Sequence, residues 1–487
     1  MKLAAIVLAA GFGKRMKSSM PKVLHTVLGR PILKYVLDAV SALSPLQTVV
    51  VVGYGAEEVK SSLGLHGIKY AYQKKRLGTG HAAACARTEL SKFKGNVLIL
   101  NGDFPLITSK SLKRFLGAHE KSGSKISVLT AMVDDPSGYG RVVIDKARNL
   151  ERIVEEKDAS AEQRKIKEIN SGTYIVSSDI LWPLLKGIKP ENKQKEYYLT
   201  DIIEIARKRK FTVSAVRVSD STEILGINDR VELSQIEAIM RTRVNERVMN
   251  SGVTLIDPGL THISSDAVIG RDAVIYPGTH VYGQTRIGRE SIIGPNVWIK
   301  DSTIGNGVTV RSSCYITGAS VGDGVTVGPF AHLRPEARIL KGAKVGNFVE
   351  IKKSTVGPGS KVSHLSYIGD ATLGKDVNIG AGTITCNYDG INKHKTEIAD
   401  KVFIGSDTML VAPVKVGKGA VTGAGSTITK DVPEGALAIG RARQTVIENW
   451  QQKTSEKASK NKSTANSKSK SSTRNKTTSG KSARGKK

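Results

Sequence analysis

Between Ile263 and Ile299 an aliphatic residue returns at every sixth position: Ile263, Ile269, Ile275, Val281, Ile287, Ile293, Ile299. The count slips by one to Ile304 and continues through Val310 and Ile316. It slips again to Val321 and then runs through Val327, Leu333, Ile339, Val345 and Ile351. Neither a helix, with period 3.6, nor an ordinary strand, with period 2, keeps such a beat. A chain that turns a corner every six residues does, because one side chain per face must point inward at each pass. This is the signature of a parallel β-helix made of hexapeptide repeats. Over residues 251–440 it gives roughly ten coils stacked at about 4.8 Å, a prism about 45–50 Å long.

A chain of 487 residues needs more than one core. Ahead of the repeat, residues 1–228 alternate short apolar runs (Ala4–Ala10, Thr48–Val52, Asn96–Leu100, Lys125–Val133, Gly172–Val176) with amphipathic stretches such as Ile32–Ala42 and Gly80–Leu90. That alternation predicts an α/β domain with a mainly parallel sheet. Residues 229–250, with Val231, Ile236, Ile239 and Val244 among charges, read as a linking helix. The β-helix domain is expected to span 251–450, and its rhythm breaks once, at Cys386–Glu397. A polar loop thrust out of a regular prism is a functional candidate. From 451 to 487 the chain is Lys, Ser, Thr and Asn with nothing to bury, and a disordered basic tail is expected.

Of the formal net charge of +30, the tail carries +11, with twelve Lys/Arg against Glu456. The rest spreads a moderate positive field over the folded parts, which suits phosphate esters and nucleic acid alike. Aromatic residues, at 5%, are too sparse for a single-strand stacking surface. Cys85, Cys314 and Cys386 form neither a disulfide framework nor a metal spacing, which points to a reducing compartment. No stretch reaches 18 apolar residues, and Leu3–Ala10 reads as a first strand rather than a signal segment. A soluble cytoplasmic protein is expected.

Directly after that strand comes Leu8-Ala-Ala-Gly-Phe-Gly-Lys-Arg-Met16, followed by Pro21-Lys22. Glycines there let backbone N–H groups approach a phosphate chain, with Arg15 and Lys22 adding charge. The segment is neither the GxGxxG of dinucleotide sites nor a P-loop. Gln73, Leu77-Gly-Thr-Gly-His-Ala82, Gly102-Asp103, Gly138-Tyr-Gly-Arg141, Val154-Glu155, Glu168-Ile-Asn-Ser-Gly172, Tyr197-Tyr-Leu-Thr-Asp201 and Gly226-Ile-Asn228 follow it. These motifs, in this order, resemble the sugar-phosphate nucleotidylyltransferases. With the β-helix attached, residues 1–450 resemble the bifunctional N-acetylglucosamine-1-phosphate uridylyltransferase / glucosamine-1-phosphate N-acetyltransferase family.

The resemblance implies a Rossmann-like nucleotidylyltransferase domain followed by a left-handed β-helix. It implies that Leu8, Ala9, Ala10, Gly11, Gln73, Gly78 and Thr79 hold uridine. Arg15, counted with the catalytic residues, and Lys22 would neutralise the triphosphate. Asp103 and Asn228 would bind Mg²⁺, in keeping with a hard cation's preference for oxygen. Gly140, Glu155 and Asn170 would hold the sugar, and Asn101 and Gly102 belong to the same substrate site. UTP would be attacked in line at its α-phosphorus, by positioning and charge neutralisation alone. Lys14 stands where this branch usually has Thr, and Asn101 where an aromatic residue often precedes Gly-Asp.

Acetylating an amine calls for a general base, and a neutral histidine suits the task. Of His262, His280, His332, His364 and His394, only His364, in Ser363-His-Leu-Ser-Tyr-Ile-Gly-Asp370, matches the family's acetyltransferase motif. The match further implies Arg334, Lys352, Tyr367 and Asn378 at the sugar phosphate. Ala381, Asn387, Tyr388, Ser406, Ala424 and Arg441 would contact acetyl-CoA. It implies a homotrimer with acetyl sites between prisms, and a product, UDP-N-acetylglucosamine, used as a cell-wall precursor. Two other readings stand beside it: a nucleotidylyltransferase whose β-helix is only a trimerisation scaffold, and a polyanion binder whose tail makes weak, salt-sensitive contact with nucleic acid.

Overall fold

The computed structural model describes residues 2–64, 67–145 and 149–471, with side chains as far as residue 464. In the N-terminal domain the strand Leu3–Ala9 is the pivot. Ala4 and Ile6 enter one buried cluster and Ala5 and Val7 the other, so the strand is apolar throughout because both of its faces are covered. It pairs in parallel with Gln47–Val52 on one side and Asn96–Asn101 on the other. Ile68–Tyr72 lies beyond the first neighbour; Glu168–Ser177, Ile126–Met132 and Val213–Arg217 lie beyond the second. Glu168–Ser177 runs antiparallel to both of its neighbours, and the other pairs on this path are parallel. The chain thus leaves the first strand in one direction and returns on its other side. Strand order reverses beside Leu3–Ala9, and a crevice opens at the carboxyl ends there.

The helix expected at Ile32–Ala42 is Ile32–Ser41. The stretch Gly80–Leu90 divides into Thr79–Cys85 and Arg87–Leu90. The Ala86 amide bonds only three residues back, to the Ala83 carbonyl at 3.2 Å, which tightens the turn and breaks the helix.

A helix Arg230–Asn250 leads from the α/β domain to the prism. Asp229 caps it, accepting from the Val231 and Glu232 amides at 2.9 Å. Ile236, Met240, Val244 and Val248 form its buried stripe, continuous with Val27 and Ile32 on one side and Val253 and Ile263 on the other. Val231 lies off that stripe and is exposed, contrary to its reading as one of the apolar positions.

The rest is a left-handed parallel β-helix whose three faces are parallel sheets of 11, 10 and 9 strands. Ile263 stacks beside Val281, 18 residues on, whereas Ile287 stacks beside Ile304, 17 residues on. The slips in the sequence count are therefore five-residue faces, which leave the inward column unbroken. Where the column turns polar, the group is satisfied: the buried Thr385 hydroxyl accepts from the Gly369 amide at 2.8 Å and donates to its carbonyl at 3.0 Å.

The tail differs from expectation. Trp450–Ser471 forms one helix, and its described side chains are all exposed. Neither Gly nor Pro interrupts it, but ten of its 22 residues are Ser, Thr or Asn, weak helix formers, and neither propensity nor packing of the described side chains accounts for it. The remainder of the tail, 472–487, lies outside the described residues. Among the described residues no helix is long and apolar enough to cross a membrane.

Candidate active sites

The crevice of the N-terminal domain holds two adjoining cavities, of about 320 and about 230 Å³. Leu8, Ala9, Ala10, Gly11, Lys22, Gln73, Gly78 and Thr79 line the first. Gly140, Glu155, Asn170 and Asn228 line the second. Thr79, Asn101 and Asp103 line both, at the join. A planar base and a sugar joined through phosphates would need such a divided cleft.

The walls are pinned by backbone. The Gly80 amide donates to the Tyr197 carbonyl at 2.8 Å, and the Leu199 amide donates to the Thr79 hydroxyl at 3.0 Å. Gly78 sits at φ 106°, where an added Cβ would lie 2.5 Å from the Tyr197 carbonyl oxygen. No other residue fits there without moving the wall. Gln73, 6% exposed, donates to the Gly78 carbonyl at 3.1 Å and so faces the cavity in a fixed pose.

Gly102 serves packing rather than lining. Its amide donates to the Leu8 carbonyl at 2.8 Å, and a Cβ would crowd Leu33 at 3.0 Å. Arg15 is exposed on the short helix Lys14–Met16 and lines neither cavity. Lys14, the residue before it, is likewise exposed.

Asp103 and Asn228, far apart in sequence, converge on one cation. The Lys22 ammonium is ion-paired with the Asp103 carboxylate and lies 3.4 Å from the Asn228 side-chain oxygen. Asn228 is set by its own amide, which donates to Glu232 at 2.5 Å, and by the Ile227 amide, which donates to the Asp103 carbonyl at 3.2 Å. A carboxylate and a carboxamide oxygen closing on a cation are a fit donor pair for a hard metal ion, with phosphate and water completing its shell.

In the second cavity, burial raises the Glu155 carboxyl above the usual range, although the Thr200 hydroxyl donates to it at 3.1 Å. Asp201, behind it, is pushed up to about 6, first by burial and then by Glu155. Arg76 and Glu196 at the first cavity, and Tyr139 and Thr200 at the second, were not singled out from sequence. Tyr139 and Thr200 lie inside recognised motifs, so a signal for them was present.

On the prism, the implied coenzyme contacts Ala381, Ser406, Ala424 and Arg441 share one edge with His364. Phe348, Leu365 and Asp407 occupy successive corners at φ 54°, 48° and 56°, with Gly382 and Gly425 at φ 77° and 70° in the same column. The residues just before these corners are Asn347, His364, Ala381, Ser406 and Ala424. The column is stitched by amide bonds from Leu365 to Asn347 (3.1 Å), Asp407 to Ala381 (2.6 Å) and Gly425 to Ser406 (2.8 Å). Arg441 closes it by donating to the Ala424 carbonyl at 2.6 Å. Asn378 pairs with Lys361, on the face that leads to this corner.

His364 is exposed, and its Nδ1 lies 2.6 Å from Asn347 Oδ1, one coil below. A carboxamide oxygen only accepts, so Nδ1 carries the proton and Nε2 presents a lone pair outward. Asn347 was missed in the sequence, yet the 17-residue coil step from His364 pointed to it.

Around the corner, Tyr367 stacks on Glu350 and Arg334 precedes Lys352 in the neighbouring column. Arg334 donates to Glu350 at 2.8 Å, which raises its pKa further. The extruded loop brings Lys393 beside Lys352, and this second ammonium lowers the Lys393 pKa. The loop is braced from within: Asp389 accepts from the Ile391 and Asn392 amides at 2.8 and 2.6 Å and pairs with His394 at 2.7 Å. Those bonds hold its carboxyl down at about 2. Asn387 Nδ2 ties the loop to Asp370 at 2.5 Å, while Tyr388 stays exposed.

Known proteins bear on these sites. The family described as nucleotidyl transferase matches residues 4–221, and the bacterial transferase hexapeptide repeat matches 266–301 and 395–430. The chain is similar to the bifunctional protein GlmU of Caldanaerobacter subterraneus subsp. tengcongensis, 52% identical over 94% of this chain and 99% of that one. It is also 50% identical to that of an Exiguobacterium species, over 93% and 100%, and 51% identical to that of Heliobacterium modesticaldum, over 92% and 98%.

Proposed function

The chain belongs to the family of bifunctional GlmU proteins, and from that premise we propose how its two sites divide the work. It acetylates glucosamine-1-phosphate with acetyl-CoA, then transfers UMP from UTP to the N-acetylglucosamine-1-phosphate so made. UDP-N-acetylglucosamine and pyrophosphate leave.

Arg334, Lys352, Lys393 and Tyr367 hold the sugar phosphate, and Asn378 joins them from the face that leads to the His364 edge, across the junction with a neighbouring prism. Acetyl-CoA lies along Ala381, Ser406, Ala424 and Arg441, with the loop residues Asn387 and Tyr388 reaching it from the other corner of a neighbouring prism's face. As the sugar amine attacks the thioester carbonyl, a C–N bond forms and the C–S bond breaks. Nε2 of His364 takes the proton from nitrogen, and CoA leaves as the thiol once protonated. Asn347 keeps Nδ1 protonated so that Nε2 is the basic atom.

In the crevice, Leu8–Gly11, Gln73, Gly78 and Thr79 hold the uridine, with Asn101 at the join. Gly140, Glu155 and Asn170 hold the acetylated sugar. Its phosphate oxygen attacks the α-phosphorus of UTP in line and the bond to pyrophosphate breaks. No base is needed, because the attacking phosphate is already ionised. Lys22, together with Arg15 swung in from its short exposed helix, binds the departing phosphates. Magnesium, held by Asp103 and Asn228, supplies charge neutralisation when bound.

We assign the boundaries 1–228, 229–250 and 251–450 to the uridylyltransferase, linker and acetyltransferase. The working form is a homotrimer in the cytoplasm, where UTP and acetyl-CoA are supplied. Phe330 and Phe348, stacked at 5.2 Å and exposed, and exposed Leu365 form an apolar ridge beside His364 that a neighbouring prism would cover.

The observation that carries an acetyltransferase rather than a bare scaffold is the oriented His364–Asn347 pair on the column of implied coenzyme contacts. The test is to supply glucosamine-1-phosphate, acetyl-CoA, UTP and Mg²⁺ and to follow CoA and pyrophosphate separately. Both should appear, CoA first; pyrophosphate without CoA, from N-acetylglucosamine-1-phosphate only, would leave the scaffold reading.

A further inference from the structure

We propose that Lys22 is the resident cation of the metal position: without nucleotide its ammonium holds the Asp103–Asn228 oxygen pair, and a bound triphosphate draws it off. The inference rests on the reading of that pair as metal ligands and adds a control to it. The Lys22 and Asp103 side chains are only 12% and 17% exposed, so solvent screens their attraction little. The ammonium is also 3.4 Å from Asn228, so it addresses both oxygens rather than one.

Its stem belongs to the phosphate loop. Gly13 lies at φ 65°, and a Cβ there would come within 2.8 Å of the Lys22 Cβ. Anything that settles on Gly11–Arg15 therefore lies next to Lys22. A lysine is suited to changing partners, being a compact charge on a flexible stem, whereas a guanidinium would be fixed by its fork.

Two consequences follow from like charges competing for one place. A divalent ion arriving alone must displace the ammonium, so it binds weakly. A triphosphate offers Lys22 other oxygens and frees Asp103 and Asn228 at the same moment, so metal and nucleotide load together. The half-buried Asp103 carboxylate is at no stage left without a counter-charge.

The test uses the full-length chain without nucleotide and Mn²⁺ as the probe, with free Mn²⁺ read by electron paramagnetic resonance. Lys22→Met should bind one Mn²⁺ about tenfold or more tighter than wild type, and Mn²⁺ should raise its thermal midpoint by restoring a counter-charge to Asp103. Adding Asp103→Asn should remove that binding. In wild type, saturating Mn²⁺ should raise the labelling of Lys22 by an amine-reactive reagent, read by mass spectrometry. Asp103-dependent binding that is no tighter in Lys22→Met, or Lys22 labelling unmoved by Mn²⁺, overturns the resident cation alone. Mn²⁺ binding indifferent to Asp103 overturns the metal assignment beneath it.

Discussion

The crevice and the prism edge solve one problem, holding a sugar phosphate beside a large co-substrate, with opposite geometry. A sheet whose strand order reverses opens a concavity by topology, so the N-terminal cleft is walled on all sides by one chain. A triangular prism has flat faces and sharp corners and cannot do this. Its site is a column of residues repeated coil by coil, one extruded loop and an uncovered apolar ridge. The cleft is thus lined by residues of one chain, whereas the edge leaves an apolar ridge exposed beside its histidine.

The comparison can be broken first at the cleft wall. Gly78→Ala places a Cβ against the backbone of Tyr197, so the wall must shift. Uridylyl transfer should fall about 100-fold, as expected for a misplacement of roughly 1 Å, with acetyl transfer unchanged. Equal loss of both would make Gly78 a folding residue.

The edge is tested by its ridge. Phe348→Asp puts a charge on an exposed apolar stack. Sedimentation should show dissociation, with acetyl transfer down on the order of tenfold or more and uridylyl transfer retained. A monomer with full acetyl activity would show that one prism suffices.

Within the edge, Asn347→Ala removes the acceptor that fixes the His364 tautomer. The kcat for acetylation should drop on the order of tenfold with little change in KM. Asn347→Asp should restore the rate and move the acid limb of the pH profile upward, because a carboxylate stabilises imidazolium.

The smallest effect concerns stability. Asp201 keeps its proton to about pH 6 in the folded state, against about 3.9 unfolded. Its ionisation is therefore resisted by the fold, and stability drops as pH rises from about 4 through 6. Asp201→Asn should flatten that part of the melting-temperature profile and raise the midpoint at pH 7–8. An unchanged profile would remove Asp201 from the buried acid pair.

Legibility follows the same division. The hexapeptide beat disclosed the prism, because every inward residue is named by its period, and Ile304 and Val321 even marked the short faces. His364, Ala381, Ser406 and Ala424 came from motif resemblance, and their common edge follows from the coil step. Asn347 was one such step from His364 and could have been found by counting. Lys393 could not, since the loop carrying it has no period. Nor could the Lys22 contacts with Asp103 and Asn228, which depend on where three distant segments meet. Arg15 shows the reverse limit: a motif gives its type and order but not its exposed pose on a short helix after the first strand.

The central claim is that one chain carries two chemically independent sites, and a double dissociation tests it most directly. CoA and pyrophosphate release should be measured side by side for wild type, His364→Ala and Asp103→Ala. The account predicts that His364→Ala loses about 10²–10⁴ in CoA release and keeps pyrophosphate release from N-acetylglucosamine-1-phosphate. Asp103→Ala should show the converse, abolishing pyrophosphate release and sparing CoA release. If either substitution lowers both rates together in a protein of unchanged melting temperature, the two sites are not independent and the account fails.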